Sequence, residues 1–187
     1  MLKRIKNRVP INKLVIIAEA IFNSKIRYGI AVYLNPVFEE EDLKIKRLSK
    51  NASVLQTLQN TMIRIIFGYS KKKHINMERL RQKIKMMSVN QMCNYHNILE
   101  AYNVTKNSSS EQIKRKWSNR CDNKYTLRSE TNHDLKIPVV PTSKCKGFTY
   151  YGAKLFNKLP CAMKETTNRS TFKHLAKDWV WNNIPSY

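Results

Sequence analysis

Apolar residues recur at helical spacing along much of this 187-residue chain. The first apolar face follows Pro10 and obeys the i, i+3, i+4, i+7 rule of an amphipathic helix. Its members are Leu14, Ile17, Ala18, Ile21 and Phe22. The helix is expected to run towards Tyr28 and to break near Gly29 or Pro36, because glycine flexibility and the proline restriction both oppose regular helix.

A second helical face begins near Asn51. Its apolar members are Leu55, Leu58, Met62, Ile65 and Ile66, and polar side chains lie around them at Gln56, Gln59, Asn60 and Arg64. Gly68 is a natural end for this helix. Between the first and second helices, the acidic run Glu39–Asp42 suits the N-terminus of a further helix that includes Ile45. A metal site at these carboxylates is disfavoured, because adjacent acids do not converge on one ion without further ligands.

Two more helices are predicted on either side of Ser88, which is a plausible N-cap for the later one. The apolar face of the earlier helix consists of Met77, Leu80, Ile84 and Met87. The later face consists of Met92, Tyr95, Leu99 and Tyr102. The methionines fall where the helical period would bury them, so they are interpreted as core residues.

The helical pattern disappears between residues 105 and 146 and returns towards the C-terminus. Asn, Ser, Lys and Thr dominate this middle stretch, which favours an extended segment that could include short strands. Helical spacing resumes from Tyr151 to Leu159, and again at Phe172, Leu175, Trp179 and Val180. The prediction is a mainly α fold: a small bundle of amphipathic helices, a long extended segment and a C-terminal helix. Its parts are a helical region at 1–104, a poorly regular segment at 105–146 and a helical tail at 147–187 that packs on the first region.

The strongest indication of function in the sequence is its net charge. The chain has 35 Lys and Arg against 13 Asp and Glu, a formal net charge of +22. Nucleic acid is the commonest polyanion that neutralises such a field, so RNA or DNA is the expected partner, bound through phosphates without sequence preference. The alternative is a merely solvated basic surface. The candidate nucleic-acid-binding residues are Arg64, Lys71, Lys72, Lys73, Arg79, Arg81 and Lys83.

No catalytic constellation is evident in the sequence. There is no pair of adjacent aspartates, no phosphate-binding loop and no HExxH helix, so we assign no catalytic residue, cofactor, metal or small-molecule substrate. The four cysteines are dispersed and predict free thiols in a reducing compartment. We therefore expect an intracellular protein, nuclear or cytoplasmic, that is not secreted and does not interact with a membrane.

Several motifs resemble a known family in their order along the chain. Residues Ile21–Tyr33 are similar to the segment that ends in "YG-hydrophobic-x-W" after the polymerase domain of LINE-type (non-LTR) retrotransposon reverse transcriptases, as in jockey-like mobile elements. Residues Leu55–Ile66 resemble the "LQxxQxx-hydrophobic-RII" helix that follows in these elements, and Tyr125–Arg128 resembles "YNTR". The strongest match is Gly147–Pro160, which follows "SxxxxGxKLWNxLP" and is completed by Phe172 to Pro185.

The chain departs from this family at several motif positions. Tyr33 and Phe156 replace tryptophans, and the asparagine of "YNTR" is missing. The resemblance implies a non-catalytic C-terminal fragment of an RNA-directed DNA polymerase, with the thumb end near residues 10–33. The fingers and the palm, with its paired aspartates, would belong to a longer parent protein. The substitutions also permit a second hypothesis: a decayed structural relic without independent activity, which needs the missing palm as a packing partner.

Overall fold

The structure is a computed structural model that describes residues 2–28, 30, 34, 37–38, 45–47, 50–70, 74–106, 134–138 and 147–184. It is mainly helical, which confirms the predicted fold class. The described residues form two compact units, one reaching Cys93 and the other spanning Asn94–Ile184. The boundary falls inside a helix, whereas the sequence suggested a division near residue 104. The predicted segment 105–146 lies mostly outside the described residues, so the three-part division stays a prediction.

The first unit begins with three short helices and a π-helical turn. Helix α1 is Leu2–Ile5, α2 is Ile11–Ala18, the π-helical turn is Glu19–Asn23, and α3 is Ser24–Arg27. The predicted start after Pro10 and the end near Tyr28 are confirmed.

The predicted inward face of this helical stretch is wrong at Ile21, whereas Phe22 is half-buried and packs against the core. Leu14, Ala18, Asn23 and Ile26 are buried, at successive steps of four, five and three residues along the chain. A π-helical turn holds one residue more than an α-helical turn, so the buried face moves on by one position. Ile21 is consequently 41% exposed, although the α-helical period placed it inside.

Two short antiparallel strands follow, where the acidic run had suggested a helix. Strand β1 is Val37–Phe38 and β2 is Ile45–Arg47, with Val37 opposite Arg47 and Phe38 opposite Ile45. The predicted helix is therefore wrong at Ile45, which lies in a strand. β-Branched residues such as Val37 and Ile45 favour extended backbone. The acidic residues themselves lie outside the described ranges.

Helix α4, Lys50–Ile66, confirms the second predicted helix, and Met62 and Ile66 of the predicted face are buried in the core, but other positions of that face differ. Gln56 and Gln59 are buried, whereas Leu58 is 49% exposed. Gln59 Nε2 donates to the backbone carbonyl of Met87 at 2.8 Å, and Gln56 Oε1 accepts from the backbone amide of Val89 at 3.0 Å. These bonds satisfy the buried side-chain amides of Gln56 and Gln59. They allow polar positions of the helix to be buried, which hydrophobic periodicity did not predict.

Helix α5, Met77–Ile84, and helix α6, Val89–Thr105, are joined by a short buried connection. Helix α5 ends at Lys85, which is in the left-handed region with φ 52°. Ser88 is the predicted N-cap of α6: its Oγ accepts from the Gln91 amide, and Gln91 Oε1 accepts from the Ser88 amide. This reciprocal pair is a capping box, which fixes where α6 begins.

The core of the first unit joins the N-terminal helices to α4 and α5. Its buried members are Leu14, Ala18, Met62, Ile63, Ile66, Leu80 and Met86. Leu2, Ile5 and Val9 pack against this cluster from the N-terminal segment. Of the basic residues between these three apolar residues, Lys3, Arg4 and Arg8 are exposed.

The second unit contains the rest of α6 and three C-terminal helices. These are α7 (Phe148–Asn157), α8 (Cys161–Glu165) and α9 (Arg169–Asn183). Phe172 of α9 stacks on Tyr102 of α6, with ring centroids 3.9 Å apart and both side chains fully buried. The Tyr102 hydroxyl donates to the carbonyls of Thr166 and Thr167, which tethers the connection between α8 and α9.

Candidate nucleic-acid interface

Helix α5 exposes two of the predicted cations. Arg79 and Lys83 are on its solvent side, four residues apart, while Leu80 is directed into the core. Lys83 Nζ lies 5.8 Å from the centroid of the Phe67 ring, a cation–π contact that holds the ammonium group near α4. Asn76 Oδ1 accepts from the Arg79 amide and caps the helix. These contacts position two cations one helical turn apart on a face that a phosphate backbone can reach.

Arg81 occupies the opposite side of the same helix and does not belong to this surface. It is 3% exposed, and its Nη1 donates to Asn60 Oδ1 of α4 at 2.9 Å. Burial lowers the pKa of the guanidinium from its ordinary value, and Glu78 opposes this effect. The proposal of Arg81 as a phosphate ligand is therefore corrected. Its side chain joins α5 to α4, where a surface phosphate does not reach it.

Arg64 has a mixed environment near the end of α4. It is half-buried, and its Nη1 donates to the Ser70 carbonyl at 2.9 Å. This bond closes the turn around Gly68, whose φ of 73° is in the left-handed region. Arg64 therefore has a structural role as well as a charge. The candidates Lys71, Lys72 and Lys73 lie outside the described residues.

The sequence reasoning missed a basic N-terminal segment. Lys3, Arg4, Arg8 and Lys13 are exposed, and Lys6 is half-buried. They are held in place because Leu2, Ile5 and Val9 pack on the core of the first unit. The signal was present in the sequence as apolar residues at i, i+3 and i+7 with cations between them. It was overlooked because Pro10 was taken as the start of regular structure.

The remaining chemistry of the described residues is limited. They contain no group of three His, Cys, Asp or Glu side chains placed to hold a metal ion. Among the described cysteines, Cys93 is buried and Cys161 is exposed, and neither is in a disulfide within the described residues. None of the helices in the described ranges is long and apolar enough to cross a membrane.

Comparison with known proteins adds no relative. No protein family, curated protein or solved structure matches this chain.

Proposed function

We propose that this chain is a non-catalytic nucleic-acid-binding module, the C-terminal fragment of a retrotransposon RNA-directed DNA polymerase. One observation carries the binding proposal: a formal net charge of +22, with exposed cations fixed on a folded core at Arg79, Lys83 and the N-terminal segment. Such cations displace counterions from a phosphate backbone and bind without reading sequence. The polymerase origin rests on the motif resemblance alone.

A salt titration tests the binding proposal. The purified chain is mixed with a fluorescent DNA duplex and with an RNA–DNA hybrid, and affinity is measured by anisotropy at increasing salt concentration. The logarithm of the association constant should fall linearly with the logarithm of salt concentration, with a slope of about −0.9 per neutralised phosphate on duplex DNA. Weak binding that does not change with salt would overturn the proposal.

Paired charge-removal variants localise the interface. Arg79→Gln with Lys83→Gln should reduce the magnitude of the salt slope by roughly 2, because each phosphate contact contributes about one unit. The matched control is Lys173→Gln with Lys177→Gln, two exposed cations one turn apart on α9 of the second unit. The control should leave the slope nearly unchanged. Equal losses from both pairs would show that binding depends on total charge and not on this surface.

A second candidate function, the structural relic, is favoured by exposed apolar side chains. Ile11, Ile16, Ile21, Val54 and Leu58 of the first unit are each at least 41% exposed. Apolar groups left in water mark a surface that a partner covers, and the missing palm would be that partner. Light scattering distinguishes the candidates: an aggregating chain that fails to bind nucleic acid supports the relic, and a monodisperse monomer with salt-sensitive binding contradicts it.

A further inference from the structure

Tyr28 is the most exposed large apolar side chain in the part of the chain that the structure describes, at 85%. It directly follows α3, whose exposed cations are Lys25 and Arg27. An isolated exposed tyrosine is ordinary on a protein surface. This one also lines a depression, together with the Lys25 side chain.

The depression has a volume of about 530 Å³ and lies entirely within the first unit. Its walls are mostly apolar, and Ile21, Phe22, Ile26 and Leu55 contribute to them. The volume is within the range of small-ligand sites. The π-helical turn contributes directly to this site, because it displaces Ile21 from the buried face to the wall of the depression.

The combination of an exposed ring, apolar walls and a cation in the lining matches the chemistry of a nucleobase and its phosphates. Every base has a flat π face that stacks on an aromatic ring, and the flanking phosphates require positive charge. A neutral apolar peptide would use the walls but would gain nothing from Lys25. The net charge of +22 likewise favours a polyanion.

We propose that this depression is a stacking site for an unpaired base of single-stranded nucleic acid, with Tyr28 as the platform. Lys25, which lines the depression, contacts a phosphate next to that base. The proposal rests on the proposed nucleic-acid-binding function. It adds recognition of a base to the binding of phosphates, since phosphate contacts alone do not distinguish a strand with bases from an abasic strand.

Two labelled oligomers of equal length separate the two functions: an oligothymidylate and an abasic oligomer with the same phosphate backbone. The intact chain should bind the oligothymidylate more tightly by roughly 5- to 150-fold, the range for stacking one base on an aromatic side chain. Tyr28→Ala should remove this preference and leave affinity for the abasic oligomer unchanged. Tyr28→Phe keeps the ring and should keep the preference.

Tyr69→Ala is the matched control, because Tyr69 is also exposed in the first unit but does not line the depression. It should leave the preference intact. Thermal melting checks that each variant remains folded, and the high exposure of Tyr28 predicts little change in stability.

The outcomes are distinct. Equal, salt-sensitive binding of both oligomers would overturn the stacking site and leave the proposed function standing. The same conclusion follows if Tyr28→Ala retains the preference, and the depression would then be open to a protein segment. Failure to bind either oligomer or duplex DNA at low salt would overturn both proposals.

Discussion

The side-chain amide of Asn157 pairs with both backbone groups of Leu135. Asn157 Oδ1 accepts from the Leu135 amide and Asn157 Nδ2 donates to the Leu135 carbonyl, each at 2.8 Å. This is the hydrogen-bonding pattern that a neighbouring β-strand would provide. Because Leu135 is fully buried, its backbone groups need these partners. One side chain at the end of α7 thus fixes a segment 22 residues earlier in the chain.

Replacing Asn157 by alanine should destabilise the second unit. The substitution leaves the Leu135 amide and carbonyl without partners, and each unsatisfied buried group costs about 1–3 kcal/mol. The free energy of unfolding, measured in urea, should fall by an amount of that order. Asn183→Ala is the control, because Asn183 is exposed and donates to the Trp179 carbonyl at the end of α9. Comparable losses from the two variants would contradict the assigned role.

Lys164 and Asp134 should behave as a coupled buried pair. Lys164 Nζ lies 2.7 Å from Asp134 Oδ1 and 2.8 Å from the Asn157 carbonyl, and its side chain is only 3% exposed. Lys164→Met should lower the free energy of unfolding by roughly 3 kcal/mol, because it leaves a partly buried carboxylate without its cation. Exposed Lys158→Met should cost far less.

A double-mutant cycle with Asp134→Asn tests this coupling. If the pair interacts, Asp134→Asn costs less stability in the Lys164→Met background than in the original chain. Additive effects of the two substitutions would show that the proximity has no energetic consequence.

Substitutions at Arg79 and Arg81 should have different effects, although only one residue lies between them: the first should weaken nucleic-acid binding and the second should lower the free energy of unfolding. Arg79→Gln removes an exposed cation and should reduce the salt slope of nucleic-acid binding by about 1 while leaving unfolding nearly unchanged. Arg81→Gln removes a charged donor to the half-buried Asn60 Oδ1, and should reduce stability by about 1.5–3 kcal/mol. It should leave the salt slope unchanged under conditions where the chain is folded. A loss of stability from Arg79→Gln, or a reduced salt slope from Arg81→Gln in the folded chain, would contradict the roles assigned from their burial.

Tyr102 should make stability fall at alkaline pH. Burial raises the pKa of its hydroxyl above the ordinary value of 10.0, and Arg169 opposes this effect. As pH rises above 10.0, the unfolded chain releases this proton before the folded chain does, so the free energy of unfolding decreases until the folded pKa is passed. Below pH 10.0 the Tyr102 contribution is constant.

Comparison of Tyr102→Phe with the original chain isolates this contribution. The variant loses the bonds to Thr166 and Thr167 and should be less stable by about 0.5–1.5 kcal/mol at neutral pH. The difference should shrink as pH increases above 10.0, since only the original chain has this hydroxyl to ionise. A difference that does not change with pH would contradict the prediction.

Local signals predicted the ends of helices better than the faces they bury. Pro10, Gly68 and Ser88 act on adjacent backbone, so their effects on helix ends could be predicted from sequence. The burial of Gln59 depends on the Met87 carbonyl, 28 residues away, and hydrophobic periodicity carries no information about such a bond.

In the candidate site too, features set by local sequence could be predicted and features set by distant residues could not. The exposure of Arg79 and Lys83 follows from helical period, and so would that of the N-terminal cations if the pattern had been followed back to Leu2. Arg81 was misassigned because its partner Asn60 lies on another helix. The depression beside Tyr28 was not predicted, because it depends on the π-helical turn.

The π-helical turn gives this chain a position-specific tolerance to the loss of one residue. Leu14 and Ala18 before the turn and Asn23 and Ile26 after it are all buried, although the turn holds one residue more than an α-helical turn. Deleting Ala20 would place these four residues at steps of four, four and three, which is the spacing of one face of a continuous α-helix. All four would therefore stay on the core side. Deleting a residue of α2 between Leu14 and Ala18 would instead rotate one side of the deletion by about 100° relative to the other. A single-codon deletion should therefore be less damaging inside the turn than in α2.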